Sequence, residues 1–105
     1  MITSKSNLKV KETRLLKQAK HRQVRGEFFV EGVRLVEEAL RSSPLFLRIV
    51  YSPRLEENPR GAALLSLARR QLPGVEWLYV SDEVLDSLGD TQTHQGVLAV
   101  LGKRE

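Results

Sequence analysis

Cysteine is absent from this chain of 105 residues, which excludes disulfides, thiolate metal sites and cysteine nucleophiles together. Histidine is nearly as scarce. His21 and His94 stand without carboxylates at metal-ligand spacing, so the sequence offers no zinc or iron site. No apolar run approaches the roughly eighteen residues of a membrane span, and the opening Met-Ile-Thr-Ser-Lys-Ser-Asn lacks the apolar stretch of a signal peptide. These absences predict a cytoplasmic protein with no membrane partner. The seven glycines, at 26, 32, 61, 74, 89, 96 and 102, never cluster into a dinucleotide-binding or phosphate-binding loop. A Ser-His-acid triad assembled from His94 and Asp90 would lack a nucleophile-elbow pattern. The chain is therefore expected to hold no cofactor and to catalyse nothing by itself.

What is present is one domain's worth of ordinary soluble sequence with an uneven charge. Residues 1–26 carry eight basic side chains, Lys5, Lys9, Lys11, Arg14, Lys17, Lys20, Arg22 and Arg25, against Glu12 alone, a net +7. Residues 27–105 carry nine basic and twelve acidic side chains, a net −3, so the two parts recover the total of +4. A basic arm on a mildly acidic body points to a polyanionic partner, with nucleic acid the first candidate. A solvated helix face is the plainer alternative.

Hydrophobic spacing and capping signals divide the chain. Asn7 caps a helix over about 8–20, with Leu8, Leu15, Leu16 and Ala19 on its inner face, and residues 23–26 form a loop. Phe28 to Val30 reads as a buried strand, and Gly32 opens a helix over 33–41. A strand over 47–51 follows. Asn58-Pro59 starts the next helix, which Pro73-Gly74 terminates. A strand over 75–80, a short helix capped by Ser81, a polar loop over 90–95 and a final strand over 96–101 complete the series. Alternating strands and helices predict an α/β sandwich whose strand order is open.

Three segments together carry a family resemblance. They are Ile2 to Lys11, the run Lys-His-Arg-Gln-Val-Arg-Gly-Glu-Phe-Phe-Val-Glu-Gly-Val-Arg-Leu-Val-Glu-Glu-Ala-Leu over 20–40, and Thr-His-Gln-Gly-Val-Leu-Ala-Val over 93–100. The chain resembles, over residues 2–101, the substrate-binding domain that precedes the knotted catalytic domain of SpoU/TrmH-type (SPOUT) RNA 2′-O-ribose methyltransferases. One departure is Leu8, where that pattern often has proline. The resemblance implies a three-layer α/β/α sandwich with a roughly four-stranded sheet, like RNA-binding ribosomal proteins of the kink-turn-binding type. It also implies an RNA substrate-binding domain over 1–101, with 102–105 starting a linker. The catalytic domain, its S-adenosylmethionine and the homodimer contact of the parent enzyme would then lie elsewhere, and the RNA would be ribosomal. A stand-alone ribosomal-type RNA-binding protein, or a dimerisation or protein-contact module, are the alternatives.

Charge and resemblance together assign RNA contact to Lys9, Lys11, Lys17, Lys20, His21, Arg22, Arg25, Arg34, His94 and Gln95. Lys17, Lys20, Arg22 and Arg25 are expected to form one patch. Glu31 and Gly32 lie at a strand-to-helix turn, which either holds phosphate on helix N–H groups or only needs glycine's backbone freedom. Gln95 either contacts bases or satisfies loop backbone groups before Gly96. Trp77 and Tyr79 read as sheet cover rather than base-stacking rings.

Overall fold

The computed structural model describes residues 1–42, 44–89 and 95–102, as α1 (Leu8–Leu15), α2 (Ala19–Arg25), β1 (Glu27–Glu31), α3 (Val33–Ser42), β2 (Leu45–Tyr51), α4 (Pro53–Glu57), α5 (Pro59–Gln71), β3 (Glu76–Tyr79), α6 (Asp82–Asp86) and β4 (Val97–Gly102). The four strands make one sheet in the order β1-β4-β2-β3. β4 runs antiparallel to both its neighbours, and β2 and β3 are parallel. The last strand therefore fills the middle of the sheet. It is suited to that place: Val97 to Leu101 is apolar on both faces and every residue is buried, whereas the edge strand β1 carries Glu27 and Glu31 at its ends.

Side chains alternate along β4 into two cores. Val97, Ala99 and Leu101 pack with Val33, Val36 and Leu40 of α3, Leu55 of α4 and Leu64 and Ala68 of α5. Leu98 and Val100 pack on the other face with Val10 and Leu16, and with Val84, Leu85 and Leu88 from α6 and its end. The layers are α3, α4 and α5, then the sheet, then α1 and α6, which is the expected α/β/α sandwich. On the β3 side the edge is covered, because Ile2 donates to Tyr79 O at 2.8 Å and accepts from Ser81 N at 2.9 Å.

Several local expectations need correction. The first helix ends at Leu15, and three bonds from residue i to i−3 over Leu16–Gln18 tighten the turn before α2 begins. Its inner face is Val10, Thr13 and Leu16, while Leu8 is 70% exposed and Leu15 is exposed. The segment expected as a loop is helical up to Arg25, and Gly26 ends it in the left-handed region. Pro53–Glu57 forms a helix that its sparse apolar pattern did not announce, and β4 extends to Gly102, one residue into the expected linker.

An extra residue at Leu47 breaks the β2–β4 register. The bulge turns Arg48 toward α1, where it donates to Lys9 O at 3.1 Å and Thr13 Oγ1 at 2.8 Å and pairs with Glu12 and Glu76. One mostly buried guanidinium thus ties the basic helix to the sheet.

Candidate nucleic-acid interface

Asn7 Oδ1 accepts the N–H groups of Lys9 at 2.9 Å and Val10 at 3.2 Å, fixing where α1 starts and which residues face outward. With Val10, Thr13 and Leu16 inward, Lys11, Leu15 and Gln18 follow one another along the solvent side and, with Arg14, line an open groove of about 380 Å³. Arg14, Leu15 and Gln18 were not among the expected RNA contacts. The spacing of 11, 14, 15 and 18 was their signal, once the buried face was known.

The structure sorts the expected cations by what already holds them. Lys11 and Lys20 are exposed, and nothing among the described residues bonds their ammonium groups; Lys5 is alike. Lys9 pairs with Glu76 in the Arg48 network. Lys17, half-buried, lies 3.4 Å from Ser87 O, and Arg14 donates to Lys5 O and Ser87 Oγ. His21 is half-buried on α2. Arg25 lies 3.4 Å from a Glu27 carboxylate oxygen.

Arg22 is the most constrained of the set. Its Nη1 donates to Leu16 O at 2.9 Å and Lys17 O at 2.8 Å, so it satisfies the carbonyls that the end of α1 leaves open. It is therefore not an interchangeable surface charge. Arg34 lies across the sheet from the arm, exposed on α3 and 3.5 Å from Glu38, and the patch does not include it.

At the strand-to-helix turn the structure shows the backbone role of the glycine. Gly32 has φ +91°, donates its N–H to Val97 O, and precedes Val33, whose N–H donates to Gln95 Oε1 at 2.8 Å. Both of these N–H groups are used within the chain. Gln95 thus caps α3 from the turn before β4, a contact with no sequence-local signature. Glu31 is half-buried at the end of β1. His94 lies outside the described residues.

Trp77 and Tyr79 cover the sheet, as expected. Trp77 meets Tyr51 edge-to-face at 6.0 Å, and the Arg69 guanidinium sits 4.7 Å over the Trp77 ring while donating to Tyr51 Oη. That side of the indole is occupied. Among the described residues no group of His, Asp and Glu could hold a metal ion, and no helix is long and apolar enough to cross a membrane.

Comparison with known proteins places this geometry. The MRM3-like substrate binding domain family matches residues 7–99. A solved rRNA methyltransferase from Sinorhizobium meliloti is 31% identical, with a TM-score of 0.69 over 98% of this chain and 36% of its own. An RNA 2′-O ribose methyltransferase structure is 27% identical, with a TM-score of 0.81 over 99% of this chain and 38% of its own. The SpoU methyltransferase AviRb from Streptomyces viridochromogenes, solved with AdoMet, is 22% identical and shares the fold, with a TM-score of 0.77 over 94% of this chain and 36% of its own. No curated protein sequence matches the chain. The chain spans a little over a third of the length of these solved proteins.

Proposed function

Because the chain belongs to the MRM3-like substrate-binding domain family, we propose that it is the RNA-recruiting part of a SpoU-type RNA ribose methyltransferase, with ribosomal RNA as its substrate. The observation that carries this reading is the outward face of α1 and α2, where Lys11 and Lys20 stand free of internal partners and Lys11 and Arg14 line an open groove. Phosphate contacts from such a face supply affinity with little sequence preference and position the strand for a catalytic part.

Methyl transfer from S-adenosylmethionine is assigned to the part of the enzyme beyond this third, which also forms the homodimer. Two open pockets among the described residues are poorly matched to the cofactor. One is lined by Lys11, Arg14, Leu15 and Gln18 and the other by Leu16, Arg22, Phe28 and Phe29, so each carries fixed positive charge and no carboxylate, whereas the cofactor is itself a sulfonium cation. Calorimetric titration of this chain with S-adenosylmethionine should give no heat of binding. A micromolar dissociation constant would refute the division of labour.

The test of the RNA reading is a salt series of binding isotherms with a single-stranded oligoribonucleotide. Lys11→Glu together with Lys20→Glu removes two phosphate-neutralising charges at positions that stabilise nothing internally. Log affinity against log salt should flatten by about 1.4, near 0.7 for each phosphate no longer neutralised. Circular dichroism should show an unchanged fold. Equal affinity and slope in a folded variant would overturn the reading. Arg22 is unsuitable for this test, because its loss also opens the end of α1.

A further inference from the structure

β1 is an edge strand, and its ladder with β4 fixes which of its backbone groups stay open. Gly32 donates to Val97 O, continuing the register that pairs Glu31 with Leu98. Bonded and non-bonded pairs alternate along an antiparallel ladder, so Val30 and Phe28 also bond β4, while Glu27, Phe29 and Glu31 turn their N–H and C=O outward. The opposite side of β4 agrees. Ser52 donates to Gly96 O, which directs Leu98 and Val100 toward β2 and leaves Val97, Ala99 and Leu101 for β1.

The outward N–H and C=O of Phe29 have no partner among the described residues. Phe29 also lines, with Leu16, Arg22 and Phe28, a pocket whose volume of about 320 Å³ is within the range of small-ligand clefts. Arg22 is held in place through Nη1 alone, so its Nε and Nη2 remain available. The pocket therefore offers one donor and one acceptor from a rigid strand, apolar walls, and an immobilised cation.

The geometry points to a nucleotide-binding pocket, in which one unstacked base of single-stranded RNA pairs its Watson–Crick edge with the backbone of Phe29 and sets its phosphate on Arg22. This rests on the RNA reading above and adds where a base is held. Each nucleobase carries adjacent donor and acceptor atoms on that edge, so the pocket selects an unpaired base without selecting its identity. An extended peptide adding to this edge would need Glu27, Phe29 and Glu31 together. Arg25 pairs with Glu27 and α2 packs against β1, which crowds the start of this edge and shortens what a peptide strand could use.

The test follows the amide of Phe29 by NMR in the ¹⁵N-labelled chain, titrated with inorganic phosphate, with AMP and UMP, and with a short oligouridylate. Both monophosphates and the oligonucleotide should shift Phe29 N–H and Arg22 Nε–H, whereas inorganic phosphate should move Arg22 alone. An abasic residue at one position of the oligonucleotide should weaken its binding by about tenfold. Oligonucleotide binding that leaves Phe29 unmoved, or abasic variants that all bind like the parent, would overturn the pocket and leave the RNA reading standing. Phe29 shifts produced equally by inorganic phosphate would also overturn it. So would β1 amides that move only with an extended peptide, which would make the edge a protein contact. Shifts with the monophosphates but no oligonucleotide binding would keep the pocket and defeat the RNA reading.

Discussion

Gln95→Ala separates the two roles that its sequence position allows. The amide oxygen accepts from Val33 N–H at 2.8 Å, and the side chain is otherwise exposed, so truncation removes one cap bond and little packing. Losing a side-chain acceptor at a helix start costs about 1 kcal/mol. For a domain of this size that lowers the melting temperature by about 5 °C. Gln95→Glu keeps the acceptor and puts negative charge at the positive end of α3, worth up to about 1 kcal/mol, part of which repulsion from nearby Glu31 offsets. The glutamate variant should therefore melt within a few degrees of the parent. Thermal melts followed at 222 nm would compare all three. Equal drops for alanine and glutamate would refute the capping argument, as would an alanine variant that melts like the parent. In either case the glutamine would return to the pool of RNA contacts.

The other expectations rest on equally local geometry. Gly61→Ala gains about 1 kcal/mol in helix propensity, but the new Cβ would sit 2.3 Å from Leu55 O, backbone that cannot yield without moving α4. Overpacking of this kind costs about 1–3 kcal/mol or more, so the variant should show a lower urea midpoint; a higher one would place α4 elsewhere. Gly32→Val meets both φ +91° and the Gln95 amide oxygen 3.0 Å from its Cβ, and should lose about 1–3 kcal/mol; an unchanged melting temperature would deny the strain. Burial pushes the Glu76 carboxyl up, but hydrogen bonds from Lys9 and Arg48 outweigh it, and the group titrates below its ordinary range. A pKa lowered on folding stabilises above the unfolded value of about 4.3 and stops doing so as pH falls through the folded one. Glu76→Gln should accordingly melt lower at neutral pH and lose less on acidification below about pH 4.5, and a parallel pH profile would contradict this.

Much of this protein was legible in the residues because the signals are local. Asn7, Asn58 and Ser81 each cap the helix that follows them, since a short acceptor side chain reaches the free N–H groups two or three residues on. Gly32 marked its turn, the apolar run after Gly96 marked a strand buried on both faces, and the segments around 20–40 and 93–100 carried the family. The charge of the arm also depends on sequence alone. Which of its cations are free does not. Lys9 is drawn to Glu76 across 67 residues, and Arg22 is turned back onto the end of α1. Gln95 reaches Val33 only because β4 inserts beside β1. The Leu47 bulge, which aims Arg48 at α1, is a matter of register between strands far apart in the chain. Composition and spacing set each segment's preference, but a partner fixed by the meeting of distant segments exists only once the sheet has closed around its last strand.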